Sequence, residues 1–174
     1  MRIDVRQRGP KPHHGVLTIG QLVLPCALGR NGIVVNGVEG DGATPAGTYP
    51  LRRILYRPDR RGHPDTELSC FPIGPRDGWC DAPGDAAYNR PVRLPYPASC
   101  EKLRRKDRLY DTIVILGHND DPVTPGLGSA IFMHVAREDF RPTLGCVALS
   151  PDDLNRVLAL TGRQSTITIH PPKG

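Results

Sequence analysis

The sequence predicts a mainly β fold with few helices, and three observations carry that reading. Short β-branched or alternating apolar runs recur along the whole chain. Gly and Pro, 19 residues each, set turn signals between the runs. Only two segments carry the end signals of a helix.

Taken in order, the strand-like runs are RIDVR, GVLTIGQLVLPCAL, GIVV, TYPLRRILYR, DTIVILG, SAIFMHVA, CVALS and STITIH. Between them lie GRNG, VNGVEGDGATPAG, RPDRRGHPD and NDDPVTPGLG, rich in the residues that turns require. The stretch from about Arg57 to Pro97 is irregular and reads as a loop-rich insertion that walls a site. A first helix is expected over about Ala98 to Asp107, with Ser99 as its cap and Glu101 in its first turn. A second is expected over about Pro151 to Thr161. Ser150 and Asp153 complete a capping pattern there, and Pro151 suits the first helical position. Asp152 and Asp153 face the positive end of the dipole, Leu154, Val157, Leu158 and Leu160 supply an apolar face, and Gly162 marks the stop.

At 174 residues the chain fits a single domain over 1–174, with residues 57–97 as the insertion. Aromatics are only 5% of the chain, so the core must rest on Val, Ile, Leu and Ala. The net charge of +5 and pI near 9.1 point to an anionic or carboxylate-rich partner. The basic residues come as scattered pairs, Arg52-Arg53, Arg60-Arg61 and Arg104-Arg105, with no stripe and no aromatic platform, which argues against nucleic acid. Five cysteines leave at least one unpaired. Cys70 and Cys80 could close a small loop, and reduced thiols serve equally well. No spacing suits a metal site, and no cofactor motif occurs. No apolar run is long enough to cross a membrane. The N-terminal stretch MRIDVRQRGPKPHH lacks the apolar region of a secretory signal. A mature form, an unseen export route and a cytoplasmic protein all fit that observation.

Chemistry concentrates in HVAREDFRPTLGCVALSPDDL, His134 to Leu154. A cysteine nucleophile needs a base or cation to form its thiolate, and donors for the oxyanion that follows. His134 stands twelve residues before Cys146, where a returning connection could bring the two together. Gly145 removes a Cβ beside the thiol, so backbone amides could face a bound carbonyl, and Thr143 adds a polar group to the same turn. The residues alone also allow Cys146 to be a small buried side chain.

The segment GSAIFMHVAREDFRPTLGCVALSPDDL resembles the catalytic signature of the YkuD-like L,D-transpeptidases, a His followed by Ser/Thr-x-Gly-Cys. Upstream, EGDGATPAGTYPLRRILYR resembles that family's GDxxTPxGxF segment. The resemblance spans about Glu39 to Leu160 and implies an L,D-transpeptidase-like β-sandwich or barrel with a capped helix after the catalytic strand. It implies Cys146 as acyl-accepting nucleophile, His134 as general base and the Val135 carbonyl as orienter of the imidazole. Thr143 and Gly145 match the motif, and the Gly145 and Cys146 amides fit an oxyanion hole.

The implied substrates are peptidoglycan stem peptides, both as acyl donor and as amine acceptor, joined through a thioester. A carboxypeptidase or amidase on the same site, or an inactive wall-binding module, are the alternatives. Such substrates imply a periplasmic location, and the expected state is a monomer. The family commonly has His two residues before the cysteine and Arg two after. Here Leu144 and Ala148 stand there, as in a PTxGCVALS subgroup, which leaves the acceptor side open. His118 could line the pocket, Trp79, Tyr88 and Asn89 could wall the peptide, and Arg137 could pair with a substrate carboxylate, as could Arg76 and Arg90.

Overall fold

A computed structural model describes residues 1–172. Its strands are β1 (Arg2–Gln7), β2 (His14–Ile19), β3 (Leu22–Ala27), β4 (Ile33–Val34), β5 (Thr44–Pro45), β6 (Gly47–Tyr56) and β7 (Cys70–Pro72). They continue with β8 (Asp77–Cys80), β9 (Pro91–Arg93), β10 (Cys100–Lys102), β11 (Thr112–Leu116), β12 (Phe132–Val135), β13 (Val147–Leu149) and β14 (Thr166–Ile169). The helix is α1 (Pro151–Ala159). The fold is mainly β, as the alternation predicts.

The main sheet runs β11-β12-β13-β3-β2-β1-β14-β6-β7, and β6 pairs with β11 as well. That extra pairing closes the sheet into a barrel. The ten-residue β6 can do this because its first half pairs with β14 and its second half with β11. Closure pairs β11 on both sides and leaves β7, paired only with β6, as an edge strand. Pro25 sits within β3 at no cost to a ladder: opposite Val16 it occupies a non-hydrogen-bonded position, and β13 meets β3 only at Ala27.

The barrel interior is filled by alternate residues, as a period of two requires. Ile3 and Val5 of β1, Leu17 and Ile19 of β2, and Ile167 and Ile169 of β14 point inward and are buried. Strands β11 and β12 are buried on both faces. Val114, Leu116, Met133 and Val135 join the interior core. Ile113, Ile115 and Phe132 face outward, into a second cluster with Ile73, Trp79, Leu103 and Tyr110. The small antiparallel sheet β10-β8-β9 supplies the cover over that outer face. Trp79 meets Phe132 edge-on, with ring centroids 5.3 Å apart.

Two helix expectations meet different outcomes. No helix forms over Ala98–Asp107. Its centre is β10, paired with β8 through Cys100–Cys80 and Glu101–Trp79. Leu103 is the one large apolar side chain in that stretch, too little for a helical face to bury, whereas pairing puts Leu103 into the outer cluster. The second helix forms as read, with the Ser150 hydroxyl accepting from the Asp153 amide at 3.2 Å. Leu154, Val157 and Leu158 are buried, while Leu160 lies beyond the helix and is 42% exposed. The stop comes from Thr161, whose hydroxyl donates to the Leu158 carbonyl at 2.9 Å, rather than from a left-handed Gly162. No helix among the described residues is long and apolar enough to cross a membrane.

Removing the cap tests this account of α1. Ser150→Ala should lower stability by about 1 kcal/mol, seen as a fall of about 2–4 °C in the unfolding midpoint. Leu158→Ala should cost about 2–5 kcal/mol. An unchanged midpoint for both variants in thermal melts would show that α1 contributes nothing to the cooperative unit.

Candidate active site

The site begins with β12 and β13, which run parallel with Met133 opposite Val147 and His134 opposite Ala148. Met133, Val135, Val147 and Leu149 belong to the interior core. The intervening residues therefore face outward: Phe132 and His134 on β12, Cys146 and Ala148 beside them. His134 and Cys146 sit one strand apart and two residues along, so their Cα atoms are about 8 Å apart at ordinary strand spacings. Both side chains line one cavity of about 320 Å³. The structure thus brings the histidine and the cysteine of the motif to one face.

Each is held by its neighbours. The Nδ1 atom of His134 lies 2.8 Å from the Val135 carbonyl. A carbonyl only accepts, so Nδ1 carries the proton and Nε2 keeps its lone pair. Tyr110 packs edge-on against the imidazole, with centroids 5.2 Å apart. The Cys146 thiol donates to the Ala130 carbonyl at 3.3 Å and accepts from the Phe132 amide at 3.4 Å. Burial pushes the Cys146 thiol up to about 12, with the Glu101 charge adding to the effect. Burial also lowers His134 to about 4, against the contrary pull of its bond to Val135. Desolvation disfavours both charged forms. The resting pair is a neutral thiol and a neutral imidazole.

The turn before the cysteine depends on the distant motif. Gly145 has φ +138°, and a Cβ there would come 2.9 Å from the Ala43 carbonyl oxygen. Only glycine suits that conformation and that approach. Ala43 is held in turn by Asp41, whose carboxylate accepts from the Ala43 and Val38 amides. Thr44 accepts from the Gly29 amide at 2.8 Å, and the Gly29–Arg30 segment pairs with Thr143. GDGATPAG and TLGC, about a hundred residues apart in sequence, are one structure in space. The Thr143 hydroxyl is occupied within the turn: it donates to the Cys146 carbonyl at 2.7 Å and accepts from the Gly145 amide at 3.1 Å. The Gly145 amide is therefore engaged.

Other expected wall residues stand elsewhere. Trp79, Tyr88 and Asn89 are buried behind the cavity and do not line it. The Trp79 indole and the Ala130 amide both donate to the Asn89 side-chain oxygen, at 2.9 and 3.1 Å. Asn89 so anchors Ala130, whose carbonyl holds the thiol and whose φ of +51° is left-handed. Tyr88 donates to Glu39 at 2.5 Å. His118 bonds to the Leu127 carbonyl and stacks edge-on with Tyr49, beside rather than within the cavity. Their polar groups are consumed by the fold. Arg137 does line the cavity; Arg76 and Arg90 do not.

The cavity wall holds charges that sequence reading missed. Glu39, Asp81 and Glu101 line it, and so do Arg105 and Arg141, which join the expected Arg137. Tyr110 donates to Glu101 at 2.5 Å, and burial raises the Glu101 carboxyl. Arg105 lies over the Tyr110 ring, 5.1 Å from its centroid. Asp81 Oδ1 and Ser129 Oγ are buried without a partner, and both residues face this cavity. Leu144 is 79% exposed at its rim. Apart from Glu101 and Arg105, four residues apart and ion-paired, and Arg137 and Arg141 on one connection, these residues come from separate segments that no linear spacing links.

Alkylation of Cys146 checks the neutral resting pair. With iodoacetamide and peptide mapping, its rate should rise about tenfold per pH unit from pH 7 to 10, without a plateau. A preformed thiolate–imidazolium pair would instead give a rate flat across neutral pH.

No match was found among the curated proteins. Among solved structures, the crystal structure of Mycobacterium tuberculosis L,D-transpeptidase 1 aligns at 12% identity with a TM-score of 0.39, covering 97% of this chain and 62% of that one. The chain thus spans about three fifths of that protein's length. The family described as "YkuD: L,D-transpeptidase catalytic domain" matches residues 12–170. That match takes in both motifs and every barrel strand except β1. On this evidence the chain belongs to the YkuD L,D-transpeptidase catalytic-domain family.

Proposed function

We propose that the protein is a cysteine-dependent L,D-transpeptidase acting on peptidoglycan stem peptides, outside the cytoplasmic membrane in the periplasm. The observation that carries this is the shared outer face of β12 and β13, with His134 and Cys146 lining one cavity. Family membership supports the substrate class. We further take residues 1–174 as one catalytic domain, working as a monomer without metal or cofactor.

The chemistry follows from the protonation states. The bond from Nδ1 to Val135 aims the bare Nε2 of His134 as the base. As the donor peptide enters, the thiol leaves the Ala130 carbonyl and passes its proton to Nε2 while sulfur attacks the acyl carbon. A neutral thiol 100-fold or more from ionising at pH 7 is unreactive alone, so proton transfer and attack are coupled. The Cys146 amide is the oxyanion donor; the Gly145 amide would first have to leave the Thr143 hydroxyl. The imidazolium then protonates the leaving amine of the D-residue, which departs and leaves a thioester on Cys146. An acceptor amine, deprotonated by His134, attacks the thioester and restores the thiol. Arg137 and Arg141 suit the carboxylates of the peptides, and Glu39 and Asp81 suit the acceptor ammonium.

Hydrolysis on the same site differs only in the acceptor, water in place of an amine. Digestion of purified muropeptides, resolved by mass spectrometry, separates the two. Wild-type protein should yield cross-linked dimers, Cys146→Ala none, and His134→Ala a rate lower by about 10²–10⁴-fold. Shortened monomers alone would mean a carboxypeptidase. Unchanged muropeptides with folded wild-type protein, while the chain still bound sacculi, would leave a wall-binding module.

A further inference from the structure

The small sheet over the site carries a second pair of cysteines whose geometry the acyl-transfer chemistry does not use. Cys80 on β8 and Cys100 on β10 are directly opposite in the antiparallel register. The hydrogen bonds of that ladder fall on their neighbours. The Asp81 amide donates to the Ser99 carbonyl at 3.2 Å, and the Leu103 amide to the Asp77 carbonyl at 3.0 Å. Alternation then makes Cys80–Cys100 a non-hydrogen-bonded pair, the class with Cα atoms about 4.5 Å apart and side chains on one face. That separation falls within the range of about 4.4–6.8 Å that a disulfide spans. Both residues are thiols in this structure, Cys80 buried and Cys100 half-buried.

The remaining cysteines offer no comparable pairing. Cys26 is buried in the barrel core. Cys70 sits on β7, in the other sheet from Cys80, and its thiol donates to the Leu68 carbonyl. The small loop that sequence spacing allowed between Cys70 and Cys80 is therefore not the pairing this fold presents. Cys80 lies instead against Cys100, with Tyr96 and Asp85 close enough to perturb it or be perturbed by it.

We propose that Cys80 and Cys100 form a disulfide in the folded protein when a disulfide oxidant is present, and that the bridge staples the wall of the active site. Cys100, the more accessible thiol, loses its proton to solvent and attacks one sulfur of a small disulfide such as oxidised glutathione. One glutathione thiolate leaves, giving a mixed disulfide at Cys100. The Cys80 thiolate then attacks the Cys100 sulfur and expels the second glutathione thiolate. Two protein thiols are oxidised to one disulfide, one glutathione disulfide is reduced to two thiols, and the two protons end on glutathione. The bridge closes the segment from Cys80 to Cys100 and fixes their neighbours Asp81 and Glu101, both of which line the cavity. This inference stands on strand register and is independent of the acyl-transfer reading.

The test equilibrates folded protein with oxidised and reduced glutathione, blocks residual thiols with an alkylating agent, and maps the unreduced peptides by mass. The expected result is a cross-linked Cys80/Cys100 peptide pair, about 2 Da lighter than the two reduced peptides together. The free thiols should fall from five to three, and dithiothreitol should restore all five. Cys100→Ser should keep its four thiols under the same buffer, while Cys70→Ser should still form the bridge. Limited proteolysis within residues 82–98 should slow on oxidation of the wild type and stay unchanged in Cys100→Ser. Five thiols surviving in oxidising buffer, glutathione stopping on Cys100 as a mixed disulfide, or a bridge through Cys70 would each overturn the proposal.

Discussion

The parallel pairing of β12 with β13 is the constraint on which the rest of the site depends. Its register places Met133 opposite Val147 and His134 opposite Ala148, and the two-residue period does the rest. Inward residues pack the barrel while outward ones, His134 and Cys146 among them, line the cavity. A slip of one residue on either strand would send His134 or Cys146 into the apolar interior and bring a core side chain out. The energy that fixes the site is therefore the burial of Met133, Val135, Val147 and Leu149, none of which lines the cavity. The placement of His134 beside Cys146 is a by-product of core packing.

Around that pair, two supports act from a distance. Ala43 meets Gly145 so closely that a side chain at 145 has no room, which ties the upstream turn to the catalytic one. Trp79 and Asn89 hold Ala130, and Ala130 holds the thiol. Both supports act on backbone atoms, which move less freely than side chains. The result is a cysteine that is well placed and unreactive, because burial keeps it protonated and His134 neutral. A thiol in that state is shielded from stray electrophiles.

Much of this architecture was legible in one dimension, and the losses have physical causes. The alternation of Ile3 and Val5, or of Ile167 and Ile169, marks strands because each buries one face. Ser150, Pro151 and Asp153 mark α1 because capping is local. The pairing of His134 with Cys146 was readable from the motif, since the connection between them is short. The stretch at Ala98–Asp107 misled because its helix-forming residues answer to a partner some twenty residues upstream: Cys100 and Glu101 pair with Cys80 and Trp79. Trp79, Tyr88 and Asn89 look like ligand contacts in a loop, yet Asn89 spends its polar atoms on Trp79, Ala130, His118 and Asn119. Of the charged wall only Arg137 was named in advance; Glu39, Asp81, Glu101, Arg105 and Arg141 were invisible. The wall assembles from separate segments, and no spacing records their convergence.

The central claim is that Cys146 accepts the acyl group with His134 as its base. Rapid-quench intact-mass spectrometry on wild-type protein mixed with a stem tetrapeptide, with peptide mapping of the adduct, tests it most directly. The account predicts an acyl adduct on Cys146 that hydroxylamine removes, appearing before product and accumulating far more slowly in His134→Ala. Product released with no covalent adduct, or an adduct carried on Cys26, Cys70, Cys80 or Cys100, would contradict it.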